Sequence, residues 1–370
     1  MSAPLPRHIA FLVNNYPPKV GGLEQHVYAL AKSLASLGIR VTVVALGRNI
    51  GDWDDGGIDV VRLRATPMVA GVLSWPMPGT GLRLGRYLRS IGVTHISTHT
   101  RFFPMSFVGV RVGRRLKLPV IHTEHGSDYV RGVSPFVGLA SKLVDRTLGR
   151  YVLKNATTVL AISESAQDFV HRLSGRTATV FHNAIDVHAF ARSESAVPAK
   201  KLVFLGRIVP GKGWERALAV AKDVLASHPG ASMHFIGDGA ERASLEAAVS
   251  QLSFRGRIHV HGYLRAPEIR EVLSDSILLN PTTLAEGFQT TLLEAITAGA
   301  AIVSTPVTAA VHLAEQTPAV VVVNEDSDAP WIDATQRFLA EGWPAAPAEF
   351  ISSFDWSTRG REYVAVLEPR

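Results

Sequence analysis

The sequence predicts an α/β protein made of two consecutive doubly wound, Rossmann-like domains. Three observations carry that expectation. Apolar runs of strand length alternate with helix-periodic stretches from His8 onward, the alternation breaks at a polar, Ala-rich stretch, Ala191 to Lys200, and it then restarts. A chain of 370 residues with 46% apolar composition is long enough to bury two cores.

The first half opens on a strand, His8 to Asn14, a helix, Glu24 to Leu37, and a second strand, Arg40 to Leu46. In the helix Val27, Leu30, Ala31, Leu34 and Leu37 recur at three- and four-residue spacing, and Gly38 follows as a stop. Strands near Asp59 to Leu63, His95 to His99, Val120 to His125 and Thr158 to Ile162 continue the series, with a helix at Phe103 to Leu116. After the break come strands at Lys201 to Gly206, Ser232 to Gly237, Arg257 to Gly262, Ser276 to Asn280 and Ala301 to Thr305. Strand-helix-strand order of this kind builds parallel sheets with helices on both faces. The expected domains are 1–190 and 191–350, with a terminal segment, 351–370.

Ligands of open parallel sheets bind beyond the carboxyl ends of strands, so the loops there carry the candidate chemistry. The first loop, Asn14 to Glu24, ends in Gly21-Gly22 at a helix start, where backbone N–H groups suit a phosphate; the steric needs of a tight turn explain the glycines equally well. The loop opening the second domain, Gly206 to Gly213, places Arg207 and Lys212 among glycines, a planar fork and a mobile charge suited to a departing diphosphate. In the segment Asn280 to Ala295, Glu286 and Glu294 stand eight apart around Gly287-Phe288-Gln289. If that interval is mostly helical the carboxylates lie roughly 12 Å apart, too far to share a proton but suited to the two ends of an elongated ligand.

Taken together, these motifs resemble the retaining glycosyltransferases of family 4. The resemblance rests on Pro17-Pro18 with Gly21-Gly22-Leu23-Glu24, His125-Gly126, Asn183-Ala184-Ile185-Asp186, Gly206-Arg207 with Lys212-Gly213, Gly237-Asp238-Gly239, and Glu286-Gly287-Phe288 with Glu294. It implies the GT-B fold, two Rossmann-like domains facing across a cleft, with a helix after Phe354-Asp355-Trp356-Ser357 packing back on the first. By the resemblance Arg207 and Lys212 bind the donor diphosphate, and Glu294 binds the ribose. Glu286 and the backbone of Gly287, Phe288 and Gln289 bind the sugar. Gly21 and Gly22 let the first loop close over the phosphates, His125 sits beside the anomeric carbon, and Gly262 and Tyr263 meet the nucleobase. Ala184 and Gln289 depart from the usual glycines, and Gln289 bears on which sugar fits.

The expected reaction moves a hexose-type sugar from a nucleoside diphosphate sugar, UDP- or GDP-linked, to an acceptor hydroxyl on a glycan or lipid-linked acceptor, without a metal cofactor. Asp52-Trp53-Asp54-Asp55 has a D-x-D spacing but is expected as a solvated turn rather than a metal site. His99 and His122 are expected to be structural. Residues 1–185 carry 22 Lys+Arg against 10 Asp+Glu, and residues 186–370 carry 16 against 22. Arg83, Arg86 and Arg89 at helical spacing, and Arg111, Arg114, Arg115 and Lys117, fit an anionic membrane surface or a phosphorylated acceptor, or simply a solvated face. Nucleic acid is not expected, since no recognition module is present. Zero cysteines, no signal-peptide pattern and no run long enough to span a bilayer lead to an expectation of cytoplasmic, peripheral location. Rival readings are a sugar-nucleotide epimerase of the same fold, a nicotinamide dehydrogenase and a sensor without turnover.

Overall fold

The computed structural model describes residues 7–18, 21–47, 51–68, 73–129, 135–192 and 200–368. The Ala-rich stretch expected as a linker falls largely in 193–199, outside the described residues, as does the 19–20 part of the first loop. The chain divides into two compact units, 1–183 with 356–370, and 184–355.

Unit 1 is built on an eight-stranded sheet. Its strands are β1 (His8–Val13), β2 (Arg40–Gly47), β3 (Gly51–Asp54), β4 (Ile58–Arg64), β5 (His95–His99), β6 (Val120–Glu124), β7 (Thr158–Ala161) and β8 (Thr179–Val180). They lie in the order β3-β4-β2-β1-β5-β6-β7-β8. All pairs are parallel except β3 with β4. All six residues of β1 are buried, because helices cover both faces of a parallel sheet and leave no polar side for alternation. One face packs around Leu12, Ile96, Met105 and Phe169, the other around Phe11, Leu30, Leu34 and Tyr363. The Asp52–Asp54 segment is therefore an edge strand and not the turn expected: Asp54 accepts the Gly57 N–H at 3.1 Å, and Arg62 stacks 4.7 Å from the Trp53 ring.

The last helix, Trp356–Val366, belongs to unit 1 and lies on helix Gly22–Ser36. Gly360 provides the close approach, since a Cβ there would stand 2.1 Å from Ser33 Oγ. Ser33 Oγ donates to the Trp356 carbonyl at 2.6 Å, and the Tyr363 ring is fully buried. The terminal segment was expected from residue 351, whereas unit 2 runs to residue 355 and holds the whole of helix Ala348–Ser352.

Unit 2 carries β9 (Lys201–Leu205), β10 (Ser232–Ile236), β11 (Ile258–Gly262), β12 (Ser276–Asn280), β13 (Ala301–Ser304) and β14 (Val320–Val322). Their order is β11-β10-β9-β12-β13-β14, all parallel. One core gathers Phe204, Trp214, Phe235 and Trp331, the other Val203, Leu278, Phe288 and Leu292. Helix Val187–Phe190, expected with the first domain, packs in this second core through Phe190. Among the described residues no helix is long and apolar enough to cross a membrane.

Candidate active site

In unit 2 the strand order reverses between β9 and β12, so the loops leaving those two strands emerge side by side. These are the two loops that carry Arg207 with Lys212 and Glu286 with Gly287-Phe288-Gln289. Hydrogen bonds tie them together: the Gly211 carbonyl accepts Thr283 N at 2.8 Å and Thr282 Oγ1 at 3.2 Å. Lys212 Nζ reaches across to Glu286 Oε1 at 2.6 Å, with the two side chains 14% and 21% exposed. Arg207 is exposed and has no carboxylate partner among the described residues.

Backbone demands fix the glycines. Gly213 caps helix Trp214–Ser227 at φ +81°, where a Cβ would fall 2.2 Å from the Pro281 carbonyl of the neighbouring loop. Gly237, at φ +135°, leaves only 1.9 Å between a Cβ and the Gly206 carbonyl. Gly237 N–H donates to the Gly262 carbonyl at 2.8 Å, which links the ends of β10 and β11. Tyr263 follows in the loop after the edge strand and is 74% exposed.

The glutamate segment differs from the expectation in one respect. The helix starts at Thr290 with Gln289 as its N-cap, so Glu286 to Gln289 is loop and only Glu294 is helical. The main-chain N–H groups of Gly287 to Gln289 thus precede a helix start, an arrangement that favours an anion or hydroxyl oxygen. Side chains here serve the fold: Phe288 is 2% exposed and stacks on Phe354 at 5.8 Å, and Gln289 Oε1 accepts Asn280 Nδ2 at 2.9 Å. Asn280 also donates to Ser304 Oγ at 2.9 Å, locking the amide pair. Glu294 keeps a little of its surface open, yet protein surrounds the carboxyl; burial pushes it up to about 7, and the Thr290 hydroxyl only partly opposes that.

In unit 1 the chain is extended at Gly21, and Gly22 begins helix Gly22–Ser36. The Gly21 carbonyl accepts Gln25 N at 3.0 Å as the first helical bond. His125 follows β6 and meets two other histidines: its Nε2 lies 3.1 Å from His99 Nδ1, and the His26 ring stands edge-on to it with centroids 4.7 Å apart. His26 and His99 are 3% and 1% exposed. Burial lowers all three: His26 falls to about 4, and His99 and His125, each further disfavoured by its histidine neighbours, fall well below 6.5. At neutral pH His125 is therefore an uncharged imidazole that donates a hydrogen bond from one ring nitrogen and accepts one at the other.

The loop holding His125 is anchored from beneath. Glu124 accepts Gly126 N at 2.8 Å, Arg101 N at 3.0 Å and Arg101 Nη1 at 2.8 Å. Burial alone would raise that carboxyl; Arg101, His122 and the Gly126 N–H outweigh it and hold it at about 2. Arg101, 1% exposed, also donates to Asp145 at 2.9 Å and lies 4.3 Å over the Phe169 ring. His122 keeps the structural role expected, bonded to Thr98 Oγ1 at 3.0 Å. His99, expected to be structural as well, is buried in the core and also touches His125 directly.

Sequence reasoning passes over His26, Ser97 and Arg101, and places Asn183 only in the segment near the hinge. His26 carries a signal, since a histidine on the apolar stripe of Val27 and Leu30 needs a partner in the core; that partner is Asn183 Oδ1, 3.0 Å from Nδ1.

Comparison with known proteins bears on the family and the fold. The sequence models of Glycosyltransferase Family 4 and of Glycosyl transferases group 1 match residues 20–189 and 199–341. One phosphatidylinositol N-acetylglucosaminyltransferase subunit, from Arabidopsis thaliana, is 25% identical over 83% of this chain and 69% of its own length. An uncharacterized glycosyltransferase of Methanocaldococcus jannaschii is 24% identical over 79% of each. HepE of Anabaena, solved in complex with UDP, superposes with TM-score 0.74 at 17% identity, covering 97% of this chain and 99% of that one. With both halves matched in order and the GT-B architecture present, the chain belongs to the family 4, group 1 glycosyltransferases.

Proposed function

We propose that the protein is a retaining glycosyltransferase that takes a hexose-type sugar from a UDP-linked donor, GDP being the alternative nucleotide. The observation that carries the reading is the meeting of the Arg207–Lys212 loop and the Glu286–Gln289 loop at the strand-order reversal of unit 2. Support for uridine comes from the UDP held by the Anabaena neighbour.

In this proposal unit 2 holds the donor and unit 1 the acceptor. Arg207 and Lys212 take the diphosphate, Arg207 through its planar fork and Lys212 as a point charge that it shares with Glu286. Their charge offsets the negative charge that builds on the leaving phosphate, so no metal cofactor is assigned. Glu294 accepts from the ribose hydroxyls. Glu286 and the N–H groups of Gly287 to Gln289 hold the sugar, with Gly21 and Gly22 allowing the first loop to approach the phosphates. Gly262 and Tyr263 face the base; β11 lies two strands from β9, about 10 Å, a span suited to a nucleoside.

In the chemical step the bond from the anomeric carbon to the phosphate oxygen breaks and a bond to the acceptor hydroxyl oxygen forms on the same face. The acceptor proton passes to the leaving phosphate, and His125, uncharged, supports the sugar as positive charge develops on it. The acceptor is a glycan or lipid-linked hydroxyl at the cytoplasmic face of a membrane. Arg83, Arg86 and Arg89 lie exposed on helix Thr80–Ser90 beside Leu82, and Arg111, Arg114, Arg115 and Lys117 lie exposed or part-exposed along and just after helix Pro104–Leu116. Cations next to apolar side chains fit an anionic lipid surface.

Turnover tests the proposal. The protein is incubated with UDP-glucose, UDP-N-acetylglucosamine or GDP-mannose and vesicles containing phosphatidylinositol, and nucleoside diphosphate release and the glycolipid's anomeric configuration are followed by NMR. Release that depends on vesicles and yields the donor's anomeric configuration is expected. Conversion of the donor with no acceptor would establish an epimerase instead, and an inverted product would refute retention.

A further inference from the structure

The geometry points to a second ligand in unit 1: we infer that His26, His99 and His125 form a site for a borderline transition-metal cation of the Zn2+ class, and that its occupancy blocks transfer by capturing His125. One ring nitrogen from each residue lies within 4.8 Å of the other two. Each histidine comes from a different element, helix Gly22–Ser36, β5 and the loop after β6.

The hydrogen bonds assign the lone pairs. His26 Nδ1 is engaged by Asn183 Oδ1 at 3.0 Å; a carbonyl oxygen only accepts, so that nitrogen carries the proton. His26 Nε2 is then a bare lone pair, and it is buried with no hydrogen-bond partner among the described residues. Nothing among the described residues repays an orphaned acceptor at that depth, whereas a cation does. His99 Nε2 lies 3.1 Å from Ser97 Oγ, which also receives the Tyr363 hydroxyl at 2.8 Å. His99 Nδ1 and His125 Nε2 face each other at 3.1 Å across a single proton, which a metal ion would replace.

Asn183 behind His26, and Ser97 with Tyr363 behind His99, are the outer partners that orient metal-binding imidazoles. Three imidazoles select Zn2+, Co2+, Ni2+ or Cu2+ over Mg2+ and Ca2+, which take oxygen ligands. A tetrahedral ion takes nitrogen bonds of about 2.0–2.1 Å, so any ring outside that reach must move inward. His125 is the member free to do so, being half-buried on a loop, while His26 and His99 are fixed in the core. Three protein ligands leave a fourth position for water. The blocking effect rests on the role proposed above for His125; the binding does not.

The test is Co2+ titration of the full chain, purified without a histidine tag, followed by visible ligand-field absorption. The expected result is one saturable tetrahedral spectrum, displaced by Zn2+ and abolished by EDTA, with affinity at least about tenfold weaker in His26→Gln and in Asn183→Ala. A competing pair exists on unit 2, where His234 Nδ1 and His261 Nε2 lie 2.9 Å apart, so His261→Asn serves as the control and should keep the spectrum. No tetrahedral spectrum with the wild-type chain, or one lost in His261→Asn and kept in the other two variants, overturns the site. Zn2+ should inhibit sugar transfer reversibly, and a chain that shows the Co2+ spectrum yet is active with Zn2+ bound overturns the blocking effect. Failure of the transferase reading looks different: the spectrum is present, and no nucleotide binds.

Discussion

Replacing Glu294 by Gln separates two consequences of one buried carboxyl. Its pKa of about 7 means that near pH 7 half of the molecules carry the proton, whereas ribose hydroxyls donate to the ionised form. Binding of a UDP-sugar, whose phosphates do not titrate near neutrality, must then strengthen as pH rises. With about one-eleventh of the group ionised at pH 6 and ten-elevenths at pH 8, the dissociation constant falls about tenfold over that interval. Glu294→Gln removes the pH dependence and, through loss of a charged hydrogen bond worth about 1.5–3 kcal/mol, weakens binding about 10- to 100-fold at pH 8. Stability moves the other way. A carboxyl whose folded pKa is raised from 4.5 to about 7 destabilises the folded state as pH climbs through that window, so Gln should stabilise unit 2 at pH 8 by up to about 3 kcal/mol, less where solvent reaches the carboxylate. Isothermal titration at pH 6, 7 and 8 and thermal unfolding at pH 8 measure both. A wild-type affinity flat across that range, or a variant that binds as well as the parent, refutes the assignment of Glu294 to the ribose.

Lys212→Ala should weaken UDP binding about 10- to 100-fold by calorimetry while costing no more than about 1 kcal/mol in urea unfolding, since its pair with Glu286 is partly exposed. Gly237→Ala forces a Cβ to 1.9 Å from the Gly206 carbonyl at φ +135° and should cost unit 2 about 3 kcal/mol or more in thermal unfolding; Gly230→Ala, with nothing within 4 Å, is the matched control. Acid should loosen unit 1: His26 at about 4, and His99 and His125 well below 6.5, bind fewer protons folded than unfolded, so stability is full above pH 6.5 and falls toward pH 4. His26 alone accounts for about 2.5 kcal/mol between pH 7.5 and 4.5, and an unchanged urea midpoint for unit 1 would count against its burial as the neutral form.

Parallel sheets announce themselves in sequence because both faces are covered, and strands such as His8–Val13 and Ser276–Asn280 are then buried at every position. Short or exposed elements do not: Gly51–Asp54 pairs along one edge of β4 and carries aspartates that read as a turn, and Val320–Val322 and Thr179–Val180 are too short to show a period. The two paired loops of unit 2 were legible because their charged residues lie within short stretches, Arg207 to Lys212 and Glu286 to Glu294. Even so, the helix start at Thr290 was not, since Gly287 and Gln289 fit a loop or a first turn alike. The histidine cluster was hidden for a different reason. His26, His99 and His125 are far apart in the chain and meet only because β5 and β6 are neighbours in the sheet and His26, on helix Gly22–Ser36, packs against the rings at their ends.

The most direct test of the account is calorimetric titration of the protein with UDP, GDP, ADP and NAD in buffer containing EDTA, repeated with Lys212→Ala. One nucleoside diphosphate, UDP, is expected to bind without metal, and the variant to bind it at least about tenfold more weakly. Binding of NAD alone, or UDP affinity that survives loss of Lys212, would contradict the placing of the donor on the paired loops of unit 2.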